Sequence, residues 1–263
     1  MTAAPPLLEL NGITKRFGRV TIAEDLSLSV SEGEALGIVG PNGAGKTSLF
    51  GVISGDLRQD AGDVRLAGRS LTKLDSAARC RLGIGRTYQV PRPFEKMSVF
   101  ENVLVAAQQG GAARRREAYE LTARVLSETG LDRAPNLPAG RLGLLQRKRL
   151  ELARALATRP RLLLLDEVAG GLTDPEVEEL IEIVRTARMT HGLAVVWIEH
   201  VVRALVETVD RLICLAGGTI IGDGTPREVL EMQSVKEIFL GVSADTDLDA
   251  DVLAGSLHLG STS

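Results

Sequence analysis

The stretch Gly40-Pro41-Asn42-Gly43-Ala44-Gly45-Lys46-Thr47 follows the apolar run Ala35-Leu36-Gly37-Ile38-Val39. It leads into Thr47-Ser48-Leu49-Phe50-Gly51-Val52-Ile53, which can continue as a helix. The octet fits G-x-x-x-x-G-K-[ST], the phosphate-binding P-loop, at every position. A strand that feeds a glycine-rich turn aims successive backbone N–H groups at one point, and the helix behind adds the positive end of its dipole. Gly43 and Gly45 accept unusual dihedrals and let the backbone approach phosphate oxygens. Lys46 supplies a point charge for the β- and γ-phosphates, and the Thr47 hydroxyl is a natural Mg2+ ligand. The pattern predicts binding of a nucleoside triphosphate, with Gly40, Pro41, Asn42, Gly43, Ala44, Gly45, Lys46, Thr47 and Ser48 around its phosphates.

A chain of 263 residues is long enough for one large α/β domain with an inserted subdomain. Its 44% hydrophobic and 25% charged residues make an ordinary globular mixture. The formal net charge of −3 offers no basic field, so nucleic acid is not expected as a partner. The start, Met1-Thr2-Ala3-Ala4-Pro5-Pro6, lacks the basic and apolar regions of a secretion signal. No apolar run approaches the roughly 20 residues that span a bilayer. Cys80 and Cys214 show neither metal-ligand spacing nor a disulfide framework, and Cys214, inside an apolar run, reads as core. The expectation is a cytoplasmic chain able to dock on a membrane partner.

Along the chain, Leu26, Leu28 and Val30 alternate with Ser27, Ser29 and Ser31, a half-buried strand closed by the turn Glu32-Gly33. Val64 to Ala67 and Ile84 to Tyr88 are short strand candidates. From Val90 to Arg159 the period becomes helical, with Val99, Val103, Ala106 and Ala107 on one stripe and Leu121, Val125 and Leu126 on another. Gly110-Gly111 breaks a helix there, and Arg114-Arg115-Arg116 reads as a solvated face rather than a phosphate or partner contact. Leu162 to Leu165 and Leu193 to Ile198 are apolar throughout, as suits central parallel strands covered on both faces. Helices are expected after each, over Pro175 to Arg188 and Val201 to Val209. Arg211 to Ala216 and Thr219 to Ile221 flank Gly217-Gly218 as a hairpin. From Ser243 onward the chain is polar and acidic, a loose tail.

Open α/β sheets place their ligands at the carboxyl ends of the strands, and three clusters fall there. The P-loop follows Ala35 to Val39, Asp166-Glu167 follows Leu162 to Leu165, and Glu199-His200 follows Leu193 to Ile198. A carboxylate pair at the mouth of an apolar strand, beside a P-loop, has the character of a Walker B site. Asp166 is then a Mg2+ ligand, directly or through water, and Glu167 orients or deprotonates an attacking water. His200, one residue past a central strand, is placed to contact the γ-phosphate. Gln89, at the end of its own strand candidate, can bind Mg2+ or the attacking water. The catalytic set is therefore Glu167, His200 and Gln89, and the metal set is Thr47, Gln89 and Asp166.

These residues, in this order, resemble the ATP-binding subunit of an ABC transporter, from Leu7 to about Leu240. Phe17, in Lys15-Arg16-Phe17-Gly18, matches the family's A-loop aromatic, which stacks on adenine. Arg86-Thr87-Tyr88-Gln89 matches the Q-loop, Trp197-Ile198-Glu199-His200 the switch histidine, and Gln146 to Glu167 the signature helix and Walker B. Met97-Ser98-Val99-Phe100-Glu101-Asn102-Val103 and Leu150-Glu151-Leu152-Ala153-Arg154-Ala155-Leu156 carry a resemblance to importer subunits for branched-chain amino acids. The resemblance implies ATP and Mg2+ as cofactors and an α/β P-loop NTPase core with a RecA-like mixed sheet. An antiparallel β subdomain and a helical subdomain inserted over about 90–159 would complete a domain spanning 1–243, with a tail over 244–263. It implies a peripheral protein on the cytoplasmic face of the membrane that powers import through separate permease subunits. Two ATP-binding subunits would close head to tail, each site using one P-loop and the other chain's signature, because ATP binds the closed dimer better.

The departures from the family pattern matter. The signature, usually Leu-Ser-Gly-Gly-Gln or Leu-Ser-Tyr-Gly-Gln, reads Leu142-Gly143-Leu144-Leu145-Gln146. Gly143 lacks the hydroxyl for the partner's γ-phosphate, a hydrogen bond worth about 1.5–3 kcal/mol. Leu145 is expected to point into the space that glycine keeps open. Val168 replaces a proline after Walker B, and Thr173 stands at the D-loop's usual Asp or Asn, with Asp174 next to it as compensation. An asymmetric heterodimer, with one competent and one weak site, is therefore favoured over a homodimer. The alternative for the signature is that helix-start amides with Arg147 and Lys148 hold the phosphate. The alternative function is an ATP-dependent regulatory subunit with little hydrolysis. A soluble P-loop kinase or DNA-acting ATPase is opposed by Asp166-Glu167, His200 and the absence of a basic surface.

Overall fold

A computed structural model of the chain describes residues 5–111 and 114–242; the tail expected over 244–263 lies outside the described residues. Two sheets are built first. Strands β1 (Leu8–Phe17) and β2 (Val20–Val30) pair antiparallel, with Leu26, Leu28 and Val30 buried and the serines between them exposed. β3 (Ala35–Val39) enters the core, and α1 (Lys46–Ser54) leaves the glycine-rich turn behind it. β4 (Ala61–Leu66) returns to pair with β1, and the short β5 (Arg69–Ser70) completes a sheet of order β2-β1-β4-β5. α2 (Ser76–Arg81), capped by the Asp75 carboxylate on Ala78 N–H at 2.8 Å, leads to β6 (Ile84–Arg86).

The expected helical block holds α3 (Val99–Gln109), α4 (Arg115–Glu128) and α5 (Leu144–Ala157). Arg114 to Glu117 are exposed and Arg116 pairs with Glu120 one turn on, so the arginine run is a solvated face. β7 (Leu162–Asp166), α6 (Asp174–His191), β8 (Ala194–Ile198) and α7 (Val202–Val206) follow. α7 is shorter than the expected Val201 to Val209. The hairpin is β9 (Arg211–Ala216) with β10 (Thr219–Gly224), and α8 (Pro226–Glu231) and α9 (Gln233–Val242) close the described chain.

The second sheet runs β10-β9-β3-β8-β7-β6, parallel except for the β9–β10 hairpin. Its central strands are apolar on both faces because both are covered. Leu162 and Leu164 join Leu36, Ile38, Val196 and Ile198 in a core shared with α1 and the antiparallel sheet. Leu163 and Leu165 join Val195, Trp197 and the inner stripe of α6 in a second core that continues into α3, α4 and α5. Cys214 sits wholly buried in that second core, where burial pushes its thiol up to about 11. The carboxyl ends of β3, β6, β7 and β8 therefore open on the same edge.

Candidate functional site

The P-loop is folded around its own lysine. Lys46 Nζ donates to Gly40 O at 2.7 Å and Pro41 O at 3.0 Å. Burial draws its pKa down, against the attraction of Glu167, Cys214 and Asp166. Gly45 caps α1 at φ +96°, and the first helical bond is Leu49 N–H to Gly45 O, so the amides before it face the end of the helix. A Cβ on Gly45 would lie 2.4 Å from Ile22 O, whereas one on Gly43 would meet open space. The close approach that demands glycine at 45 is thus made with β2 of the same chain. The first amides of α1, the positive end of its dipole and the Lys46 ammonium together form an anion site suited to a nucleoside triphosphate.

Asp166 ends β7 at 1% exposure. Its Oδ2 accepts from the Arg86 guanidinium at 3.0 Å, and its Oδ1 is buried with no hydrogen-bond partner among the described residues. Burial pushes this carboxyl above the usual range, while Arg86, and then the neighbouring Thr47 hydroxyl, pull it down. An orphaned carboxylate oxygen beside a threonine at the P-loop fits a divalent cation that takes few protein ligands and keeps its waters. Among the described residues no group of three or more His, Cys, Asp or Glu side chains gathers to hold a metal by itself.

Glu167, the next residue, has a left-handed backbone at φ +47°, held by its N–H on Ile198 O at 2.9 Å. Such strain in a non-glycine residue persists where surroundings fix it, often at functional sites. The turn aims its carboxylate at two partners from the loops after β6 and β8; Gln89 lies three residues beyond β6, which ends at Arg86 rather than at the expected Tyr88. Gln89 Nε2 donates to Oε2, and His200 Nε2 lies 2.8 Å from Oε1. The three residues expected from sequence to act together are in hydrogen-bond contact. Behind them Glu199, 2% exposed, accepts from Ala169 N–H at 2.7 Å, from Trp197 Nε1 at 3.3 Å and from His200 N–H at 3.3 Å. Burial raises the Glu199 carboxyl against these donors. Phe17 stands apart at the end of β1, 51% exposed, with Lys15 Nζ 5.1 Å from its ring centroid.

Two expectations about the signature are corrected. The leucine that reaches outward is Leu144, 45% exposed; Leu145 is 8% exposed and packs inward, because α5 turns that face toward the body of the protein. Arg147 and Lys148 also turn inward. Arg147 donates to Leu142 O and Gly140 O at 2.9 Å each, and Lys148 Nζ to Gln89 O and Glu167 O at 3.1 Å each. Gly143 caps α5 without a side-chain bond. The D-loop Thr173 is committed as a cap, its N–H and hydroxyl each 2.8 Å from Glu176. Sequence reasoning placed Arg86 and Glu199 in the matching segments without giving either a role, and gave Lys148 the wrong direction. The legible signal was on α5, where Lys148 and Glu151 interrupt a buried stripe of Leu145, Leu152 and Ala155.

A P-loop at β3, a buried aspartate at β7 and a glutamate–histidine–glutamine cluster at neighbouring strand ends define a P-loop ATPase. Residues 23–170 match the ABC transporter family. The chain belongs to that family as one of its ATP-binding subunits, whose ATP hydrolysis is coupled to transport. It is 35% identical over 250 residues to the high-affinity branched-chain amino acid transport ATP-binding protein BraF of Pseudomonas aeruginosa, covering 90% of this chain and 98% of that protein. LivG of Escherichia coli K12, a branched-chain amino acid transport ATP-binding protein, is 33% identical with the same coverage. Among solved structures, the ATP-binding cassette MJ1267 superposes with a TM-score of 0.82 at 29% identity, covering 90% of this chain and 99% of that one. The ADP conformation of that cassette gives 0.80 at 28% identity. Among the described residues no helix is long and apolar enough to cross a membrane.

Proposed function

We propose that this chain energises import of a small solute, with branched-chain amino acids the class to which its relatives point, from the cytoplasmic face of the membrane and through separate permease subunits. One observation carries the hydrolytic reading: Glu167, beside the P-loop and the orphaned Asp166 oxygen, is gripped by both Gln89 and His200. Thr47, Asp166 and the side-chain amide oxygen of Gln89 would hold Mg2+, which neutralises charge developing on the phosphates. Lys46 and the α1 amides bind the β- and γ-phosphates, and Phe17 offers its exposed face to adenine. Glu167 orients the attacking water and takes its proton, and His200 turns from Glu167 to the γ-phosphate.

The signature supports an asymmetric heterodimer. Gly143 offers no hydroxyl to a facing nucleotide, and Leu144 covers the tip of α5, its Cδ2 3.2 Å from the place a Cβ on Gly171 would take. The chain's own Lys46, Asp166 and Glu167 would be completed by a partner's intact signature. Hydrolysis is tested with Glu167→Gln, which is expected to cut Mg-ATP turnover by about 10²- to 10⁴-fold while leaving nucleotide affinity near wild type. Equal turnover in the two proteins would favour the alternative, a regulatory subunit that binds ATP and closes without useful hydrolysis.

A further inference from the structure

α5 carries its polar grip on one face. Lys148, Glu151 and Arg154 follow at intervals of three, so they stack along the same side of the helix. Each holds main chain of the loop after β6. Lys148 Nζ donates to Gln89 O, Glu151 accepts from Arg92 N–H at 3.4 Å, and Arg154 donates to Arg92 O at 2.7 Å and to Glu151 at 3.1 Å. The backbone from Gln89 to Arg92 is thereby laid along α5. Lys148 adds a second anchor, Glu167 O, and is the one member of the stripe that touches both catalytic loops. Its ammonium is buried at 4% exposure within reach of the charges of Glu199, Glu167 and Asp166.

We propose that Lys148 is a positioning residue for hydrolysis. It holds the backbones of Gln89 and Glu167 at a fixed separation, so that the Gln89 amide and the Glu167 carboxylate meet. It also fastens the helix that presents the signature to the catalytic carboxylate of its own chain. A shift of α5 at the facing nucleotide would therefore be felt at Glu167, which gives the two sites of a dimer a direct mechanical link. The proposal rests on the reading of Glu167 as the water-orienting carboxylate. In the proposed reading the phosphates are gripped by other groups, Lys46 and the α1 amides, so loss of Lys148 falls on turnover and spares binding.

The test compares the full chain as wild type, Lys148→Met, Lys148→Arg and Glu167→Gln in steady-state Mg-ATP turnover. Lys148→Met is expected to lose about 10- to 100-fold in kcat, since small misplacements of a catalytic group cost that much. Its KM is expected to stay within about twofold of wild type, and Lys148→Arg, which keeps charge and reach, to recover most of the rate. Wild-type kcat in Lys148→Met, equal losses in the Met and Arg variants, or KM rising in step with falling kcat would each overturn the proposal. Full activity in Glu167→Gln would instead overturn the reading of that carboxylate. A second readout needs no turnover. The chain has one tryptophan, Trp197, whose ring N–H donates to Glu199 at 3.3 Å behind the same loops. The change in its emission on adding Mg-ATP is expected in wild type and Lys148→Arg and absent in Lys148→Met, with a fluorescent ATP analogue still bound. An undiminished change in Lys148→Met would overturn the proposal.

Discussion

A single buried cation closes the end of the P-loop helix. Arg79, 2% exposed, donates from its guanidinium to Val52 O at 2.6 Å, Ile53 O at 3.0 Å and Leu74 O at 3.1 Å. The last carbonyls of α1 and the negative end of its dipole thus receive a fixed positive charge. Arg79→Met keeps the volume and strands those carbonyls, so it is expected to cost about 3 kcal/mol, measured as a shift of the denaturant midpoint at unchanged slope. A shift near zero would mean that water replaces the guanidinium. At this scale the sequence was legible where chemistry follows a motif and silent where it depends on direction. Lys46, Asp166 and Glu167 lie where the sequence places them, at the start of α1 and the end of β7, because motif spacing and strand ends determine those positions. The inward turn of Lys148, and the exchange of Leu144 for Leu145 as the outward leucine, follow from the rotational phase of α5. Adjacent residues on a helix differ in direction by about 100°, and only the packing of the whole helix sets its phase.

At the scale of elements, helix starts are secured by reciprocal caps. Ser98 with Glu101, Thr173 with Glu176 and Thr225 with Glu228 form capping boxes on α3, α6 and α8. Hydrogen bonds from the Thr173 N–H and hydroxyl hold the exposed Glu176 carboxyl below its usual range. A folded-state value below the unfolded one means that the unfolded chain binds more protons in that window. The stabilisation is then full above the ordinary carboxylate value and is lost as pH falls through the lowered one. Glu176→Gln retains an acceptor and removes the titration, so its melting temperature is expected to fall less steeply than wild type between about pH 6 and 3. Parallel slopes would contradict this. Glu151 has the opposite sign, because burial raises it first and Arg154 and the Arg92 N–H only partly offset that. Its stabilisation is present on the acid side and is lost as pH rises through the raised value. The strands β7 and β8 were legible from apolar runs on both faces. The order β2-β1-β4-β5 was not, since pairing between distant strands leaves no local pattern.

For the whole molecule, the carboxyl ends of β3, β6, β7 and β8 share one edge of the central sheet, and in the proposed reading α5 presents the signature to a facing site. In the proposed reading Lys46, Asp166, Glu167, Gln89 and His200 form this chain's half of a shared site, and the weak part is the start of α5 at Gly143, which has no side-chain cap. A serine there is sterically tolerated. A Cβ at Gly143 meets only the end of the Gln146 side chain, at 2.9 Å, and the hydroxyl would complete a cap with the helix while facing the opposite nucleotide. Leu145→Gly is the poorer repair, because that side chain is packed inward. The most direct measurement is therefore Mg-ATP turnover by the purified chain as wild type and Gly143→Ser, each with and without Glu167→Gln. Restoring a hydrogen bond to a charged phosphate is expected to raise the rate by about tenfold, and Glu167→Gln is expected to abolish the gain. If Gly143→Ser hydrolyses no faster than wild type, the altered signature already suffices and the asymmetric account fails; if the gain survives Glu167→Gln, the catalytic centre is not the one described.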